Sequence, residues 1–333
     1  MNIYTLSNGD IQLPDYKYRM DKDFLTINWI INKYCNLRCS YCVGWNNASR
    51  EGVVDRHHYK DIADAFLHLK QSTGKGLYIA FTGGEPSLVP NFIELINTLG
   101  KYGFFIGVQT NLCTKVIKEV AYYTDPEKLI QIEAAYHYET LDKNKKLQDM
   151  YFGNFSLLSE KEFTVVLKIV ATPKELKNFE KRVEWLRRKL PENSIIFVQP
   201  YITGLAGTKD NPRSYPYIYT DEEKKILSKF MKVRKKELFD FIHGAGWFKG
   251  MRCGAGESYL VLDEKGNARR CASLPHPLGG NLMKRNIRLL PEPTACPVEY
   301  CACPPWALWF GANVWEYIGN KRDECLYCRY HKE

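Results

Sequence analysis

From residue 24 onward, short apolar runs alternate with longer amphipathic stretches. Phe24–Ile31 reads as a strand and runs straight into a group of cysteines. Leu77–Phe81, Phe104–Val108, Ile130–Ala135, Phe163–Ala171 and Ile195–Pro200 are further runs of strand length. Between them, Tyr59, Ile62, Ala63, Phe66 and Leu69 recur at helical spacing after an acidic start at Asp55. Phe92, Ile93, Ile96 and Leu99 do the same after Pro90, with Gly100 suited to stop the helix. Helical patterns also fall at 116–123 and 176–190, while 143–162 shows no clear period.

Strands alternating with helices predict a parallel sheet with right-handed crossovers. Six such units make an α/β fold of the partial (β/α)6 TIM-like barrel type over 24–220, after an N-terminal segment 1–23. Chemistry in such barrels gathers at the C-terminal ends of the strands. There the sequence places Cys35 onward, Gly83–Pro86, Gln109–Asn111, Tyr136–Tyr138 and Gln199–Tyr201. A Pro/Gly/Tyr-rich linker at 203–219 leads to one long charged helix at 221–242, within a connecting segment 221–244. Residues 245–333 are dense in Cys, Gly, Pro and Trp, and predict a small Cys-rich metal-binding extension shaped by metal rather than by apolar burial.

Composition narrows the class. At 45% hydrophobic, the 333-residue chain has ample material for a core. Its longest apolar stretches are strand-sized, too short to span a membrane. Met1–Asp15 is polar and broken by Gly9 and Pro14, without a secretory pattern, so the expected location is the cytoplasm. The net charge of +9 concentrates in Lys181–Lys189 and Lys232–Lys236, interleaved with apolar residues as on solvated helix faces. No aromatic-basic signature of an RNA-binding module accompanies them, so neither nucleic acid nor membrane is an expected partner.

Eleven cysteines in a large intracellular chain point to metal ligation rather than disulfides, and ten of them fall within 35–42 and 253–328. Cys35, Cys39 and Cys42 put three thiolates on a loop leaving a strand. Thiolates ligate iron–sulfur clusters and zinc alike. A structural zinc wants a fourth protein ligand, and no His lies in the loop. A cubane held by three thiolates leaves one iron without a protein ligand.

The Cys-x3-Cys-x-aromatic-Cys spacing, with Tyr41 at the aromatic position, resembles the signature of the radical S-adenosylmethionine (SAM) superfamily. Gly83-Gly84-Glu85-Pro86, one βα unit later, resembles that family's GGE motif, and Gln109-Thr110-Asn111 its QTN segment. The resemblance implies a SAM-binding [4Fe–4S] cluster on Cys35, Cys39 and Cys42. It implies SAM contacts from Tyr41, Gly83, Gly84, Glu85, Pro86, Gln109 and Asn111, with Gln199 a candidate for the adenine. It also implies an electron donor such as flavodoxin or ferredoxin. The glycines would let backbone approach the ligand, and Glu85 would accept from an ammonium group.

Cys253-x12-Gly266-x4-Cys271 resembles the opening of the SPASM and twitch extensions, which hold auxiliary [4Fe–4S] clusters, and Tyr259–Asn267 reads as its hairpin. Cys296-x4-Cys301-x-Cys303 and Cys325-x2-Cys328 depart from the full SPASM pattern. Either one auxiliary cluster binds and three thiols are spare, or two bind and one iron lacks a cysteine. The twitch arrangement favours Cys253, Cys271, Cys325 and Cys328, leaving Cys296, Cys301 and Cys303 as a second site or as structural. Zinc remains an alternative occupant.

Cys113 stands alone, read as a buried inert thiol or as a hydrogen-atom donor to a substrate radical. His137, with Tyr136 and Glu139, follows the fourth strand and would face the pocket; it reads as a structural histidine or a catalytic one. His57-His58 read as surface, and Trp306, Trp309 and Trp315 as core and cluster shielding. The expected activity is hydrogen abstraction from a small molecule, a sugar or amino-acid derivative, with the auxiliary cluster accepting an electron or binding substrate. The alternatives are a maturase acting on a peptide side chain and a non-enzymatic iron–sulfur or zinc protein.

Overall fold

A computed structural model describes residues 4–5, 11–12, 24–42, 52–192, 194–202, 218–230, 252–272, 277–295 and 297. Its centre is a run of six parallel strands joined by helical crossovers. The strands are β1 (Phe24–Asn32), β2 (Gly76–Gly83), β3 (Phe105–Thr110), β4 (Leu129–Ala135), β5 (Val165–Ala171) and β6 (Ile195–Pro200). The crossovers carry α1 (Tyr59–Thr73), α2 (Phe92–Lys101), α3 (Val116–Tyr123), α4 (Lys145–Glu160) and α5 (Phe179–Lys189), and α6 (Asp221–Phe230) follows β6.

Both faces of these strands are buried, so the runs are largely apolar, with polar residues confined to the inner face. Leu25, Ile27, Trp29 and Ile31 of β1 face the helices and are fully buried. Trp29 packs edge-on against Phe66 of α1, with ring centroids 5.5 Å apart. The opposite, inner face carries Thr26, Asn28 and Asn32, all buried although polar. On β5 and β6, Val166, Ile195 and Phe197 form a separate inner apolar cluster.

Some boundaries differ from the sequence reading. Gly100 sits inside the last turn of α2, where a Cβ would meet Lys128 at 3.1 Å, and Gly103 at φ 79° makes the turn instead. The 143–162 stretch is α4, whose buried side carries a polar Asn154 among Tyr151, Phe155 and Leu158, so its period is blurred. The 176–190 pattern divides into a Thr172-capped turn, Pro173–Leu176, and α5. Val183 and Leu186 anchor α5 while Lys181, Arg187, Arg188 and Lys189 stay exposed, a solvated basic face. His57 and His58 are exposed too.

The described part of the Cys-rich region adds strands to the main sheet. β7 (Tyr259–Leu262), β8 (Asn267–Arg269) and β9 (Pro277–Asn281) join the main sheet, whose strand order is β9-β8-β7-β1-β2-β3-β4-β5-β6. β7 runs parallel to β1, Tyr259 opposite Thr26 and Leu262 opposite Trp29. Asp263 Oδ1 accepts from the amides of Lys265 and Asn267, and Gly266 takes φ 78°, which closes the hairpin. Leu260, Leu262, Ala268 and Leu282 share the core with the helix-facing side of β1. Apolar burial therefore shapes this part.

Cys253 lies in a short strand opposite Thr294, and Cys271 is buried. Cys296, Cys301, Cys303, Cys325 and Cys328 lie outside the described residues, as do Trp306, Trp309, Trp315 and the second half of the 221–242 helix. Among the described residues, no helix is long and apolar enough to cross a membrane.

Candidate active site

The loop leaving β1 brings Cys35, Cys39 and Cys42 together, Cys42 lying close enough to both Cys35 and Cys39 to oppose their ionisation. Burial is the larger effect and pushes Cys35 up to about 11 and Cys39 up to about 12. Such thiols ionise in folded protein when a metal takes the place of the proton. The amide of Leu37 donates to Cys35 Sγ at 3.3 Å, and Asn111 Nδ2 lies 3.7 Å from the same sulfur.

The turn after β2 is clamped onto this loop. The Gly84 amide donates to Asn32 O at 2.9 Å and the Glu85 amide to Tyr34 O at 2.7 Å. A Cβ on Gly84 would fall 1.9 Å from Tyr34 O, and one on Gly83, at φ 134°, 2.1 Å from Asn32 O. The close approach that requires glycine is thus to the chain's own backbone. Pro86 opens a short 3-10 turn, Pro86–Leu88, and is buried beneath it.

Glu85 is 1% exposed and its carboxylate is fully engaged. Oε1 accepts from the Ser87 amide, Ser87 Oγ and Thr110 Oγ1; Oε2 accepts from the Asn111 amide at 2.7 Å. Burial raises its pKa, and these four donors pull it back down. The carboxylate therefore ties the turn after β2 to the turn after β3 and, in this structure, spends its acceptor capacity inside the protein. Asn111 extends the network, with Nδ2 donating to Asn36 Oδ1 at 2.8 Å and Oδ1 accepting from the Cys113 amide. Asn36 Nδ2 in turn donates to Cys113 O. The Cys113 thiol lies in the core against Leu147 O, so its backbone, not its sulfur, supports the loop.

A second clamp comes from the end of β4. Glu139 accepts from the Ser40 amide and hydroxyl at 2.8 and 2.7 Å. Tyr41 OH and His137 Nδ1 are 3.1 Å apart, and the Tyr41 ring stacks on Tyr138 with centroids 5.4 Å apart. Tyr136 points the other way, into an aromatic cluster with Tyr151, Phe152 and Trp185, and donates to Asp142. Gln109 accepts from Thr82 Oγ1, and Gln199 lies buried at the end of β6.

Enclosure lowers the His137 imidazole to about 4, with the Lys168 charge adding to the effect. Unfolded, the ring takes its proton near 6.5, so between these values the unfolded chain binds more protons and stability falls as pH drops. Urea melts from pH 7 to pH 4 are expected to show wild type losing ~2 kcal/mol more than His137→Gln, after allowance for partial exposure of the residue. Parallel losses in the two proteins would show that His137 is not the group responsible.

The donor set fits an iron–sulfur cluster. It is three thiols on one loop, with two N–H donors aimed at the sulfur of Cys35. Among the described residues, no three His, Cys, Asp or Glu side chains are gathered closely enough to hold a single metal ion. A cubane spreads its ligands over separate corners.

The family model described as the radical SAM superfamily matches residues 29–204, more than half of the chain. The chain belongs to the radical SAM superfamily. Members of this superfamily are enzymes, and membership implies a [4Fe–4S] cluster and SAM. The tungsten-containing aldehyde ferredoxin oxidoreductase cofactor-modifying protein of Pyrococcus furiosus is 32% identical over 97 residues, 27% of this chain and 26% of that one. A GTP 3',8-cyclase of Haemophilus ducreyi is 31% identical over 96 residues, 28% of this chain and 27% of that one. The match thus spans about a quarter of each of these two relatives. The mycofactocin maturase MftC of Mycobacterium tuberculosis is 22% identical over 274 residues, 78% of this chain and 68% of its own. Among solved structures, native anSMEcpe with bound AdoMet has a TM-score of 0.54 at 15% identity, covering 78% of each chain. Streptococcus suis SuiB bound to S-adenosylmethionine has 0.52 at 15%, covering 74% of this chain and 60% of that one. These likenesses show the fold, an α/β parallel sheet of the partial-barrel kind.

The sequence reading missed the residues that fix the loop rather than line it: Asn32, Asn36, Ser40 and Ser87, with Thr114, whose hydroxyl lies 2.8 Å from that of Ser87. It also missed Asn28, Gln131, Glu133 and Lys168 on the inner face. Their signal was present as single polar residues inside apolar runs, as in Leu129–Ala135 and Val165–Ala171.

Proposed function

We propose that the chain reductively cleaves SAM and removes a hydrogen atom from a small-molecule substrate, a sugar or amino-acid derivative, as an oxidoreductase-type enzyme of the cytoplasm. The observation that carries this reading is the three-thiol loop, held at once by the turn after β2, by Asn111 and by the end of β4. Cys35, Cys39 and Cys42 would hold a [4Fe–4S] cluster, which would supply the electron for reductive cleavage of SAM to methionine and a 5′-deoxyadenosyl radical.

The chain's own residues hold and shield. The Leu37 amide and Asn111 Nδ2 put N–H dipoles on Cys35 Sγ, which stabilises the thiolate and tunes the cluster's potential. Tyr41 covers the loop and is fixed by His137 and Tyr138, which keeps water from the reacting centre. The turn of Gly83, Gly84 and Pro86 would border SAM, while Gln109 and Gln199 lie at the same strand ends. A flavodoxin or ferredoxin is the proposed electron donor. Cys253, Cys271, Cys325 and Cys328 are the proposed ligands of a SPASM/twitch-type auxiliary cluster, which accepts an electron or binds substrate; Cys296, Cys301 and Cys303 serve a second cluster or the structure.

A second reading is a maturase acting on a peptide side chain. The likeness to mycofactocin maturase over 78% of the chain favours it. So does the fold shared with SuiB bound to its precursor peptide SuiA, at a TM-score of 0.51 and 12% identity over 80% of this chain and 65% of that one.

Anaerobic reconstitution followed by dithionite and SAM tests the enzyme. Release of 5′-deoxyadenosine supports it, and none from a cluster-replete sample contradicts it.

A further inference from the structure

β7 runs parallel to β1, so the turn that follows β7 falls at the end of the sheet where β1 gives way to the three-thiol loop. Leu262 is the partner of Trp29. Two residues further along, Glu264 and Ile31 are still neighbours: a Cβ on Gly52 would lie 3.1 Å from Glu264 O and 3.2 Å from Ile31 O.

Glu264 meets the thiol-bearing segment twice. Its Oε1 accepts from Lys33 Nζ at 2.6 Å, two residues before Cys35. Its main-chain oxygen accepts from the Val53 amide at 2.7 Å, eleven residues after Cys42. Both ends of the segment are thus fastened to one residue, more than two hundred positions away in the chain. Packing secures the exit as well. Val53 is buried in the core that holds Leu282, and a Cβ on Gly266 would meet Val53 Cγ2 at 3.1 Å.

A clamp needs a stiff jaw, and the turn supplies one. Asp263 Oδ1 accepts from the amides of Lys265 and Asn267, and the Gly266 amide donates to Asp263 O at 2.9 Å. From β9, Asn281 Nδ2 donates to Lys265 O at 2.8 Å, bracing the turn from its far side. The Lys33 and Glu264 side chains are 28% and 12% exposed, so water screens this pair less than a pair on the open surface. Fastening a loop at its base restricts everything between the ends. Cys35 stands about 7 Å of chain from the entrance contact, so play at Lys33 reaches the first thiol directly. Glu85, Asn111 and Glu139 hold the segment between its ends; the hairpin holds the ends themselves.

We propose that Glu264 is a positioning residue for the cluster-binding loop, acting through Lys33 at its entrance and Val53 at its exit, so that the C-terminal hairpin completes the site. The proposal rests on the SAM-cleaving reading and adds a residue to it.

The test compares the anaerobically reconstituted full chain with Glu264→Ala, Lys33→Met and the double variant. Glu264→Ala keeps the main-chain oxygen and deletes only the entrance contact. Each single variant should release iron to a chelator roughly fivefold faster and bind SAM roughly fivefold more weakly. The double variant should lose no more than the more impaired single variant, because both changes break the same contact. Hydrogen exchange should quicken in peptides from 33 to 56 and hold in β3 to β6. Wild-type iron release and SAM affinity in both single variants would overturn the proposal. So would additive losses in the double variant, or exchange that quickens throughout the sheet, the mark of a general loss of stability. Exchange is read with and without metal and needs no SAM. A wild-type chain that never yields 5′-deoxyadenosine therefore sinks the reading beneath, while the exchange comparison still decides the clamp.

Discussion

Cys39→Ser is expected to abolish 5′-deoxyadenosine formation, down to the rate of protein-free controls. Cys39 is the most buried thiol of the first group, 5% exposed, and lies among residues of the helix-side core. A serine hydroxyl there is a poor iron ligand and does not ionise in so dry a place. Iron and sulfide content after reconstitution should fall by one cluster, while the fold persists because β1 and β2 stay in register through Asn32 and Gly83. Wild-type turnover in this variant would remove Cys39 from the ligand set.

Glu85→Gln should nearly match that loss by another route. Both carboxylate oxygens accept from backbone N–H groups, which cannot turn round to become acceptors. A carboxamide presents an NH2 to one of them, leaving two buried donors facing each other. A loss of about 3 kcal/mol in unfolding free energy is expected. SAM affinity should fall with it, since the turns after β2 and β3 lose their common tie. Urea melts and equilibrium dialysis with labelled SAM check the two effects separately. A stable variant that binds SAM as wild type does would assign Glu85 no positioning role.

Much of this architecture is legible in the sequence because burial makes each strand a short, largely apolar run. α3 is recovered over 116–123 and β6 over 195–200, as helix and strand periods require. The cysteine loop is legible for a different reason, since three thiols in eight residues have little other use in a large core. What spacing cannot show is the partner. Nothing in Gly83–Pro86 says that both glycines press on Asn32 and Tyr34, because that approach is set by β1 and β2 lying in register. Nor does Tyr136 reveal that it turns towards Trp185 while His137, next to it, turns towards Tyr41. The hairpin at 259–269 is visible as a hairpin, but its parallel pairing with β1, more than two hundred residues away in the chain, is a tertiary fact.

The most direct measurement is the electron paramagnetic resonance spectrum of the dithionite-reduced protein, recorded anaerobically with and without SAM. The account predicts a [4Fe–4S] signal whose g-values shift when SAM is added, and that signal should be missing from Cys39→Ser. A spectrum indifferent to saturating SAM, or a loop that holds only zinc, would contradict it.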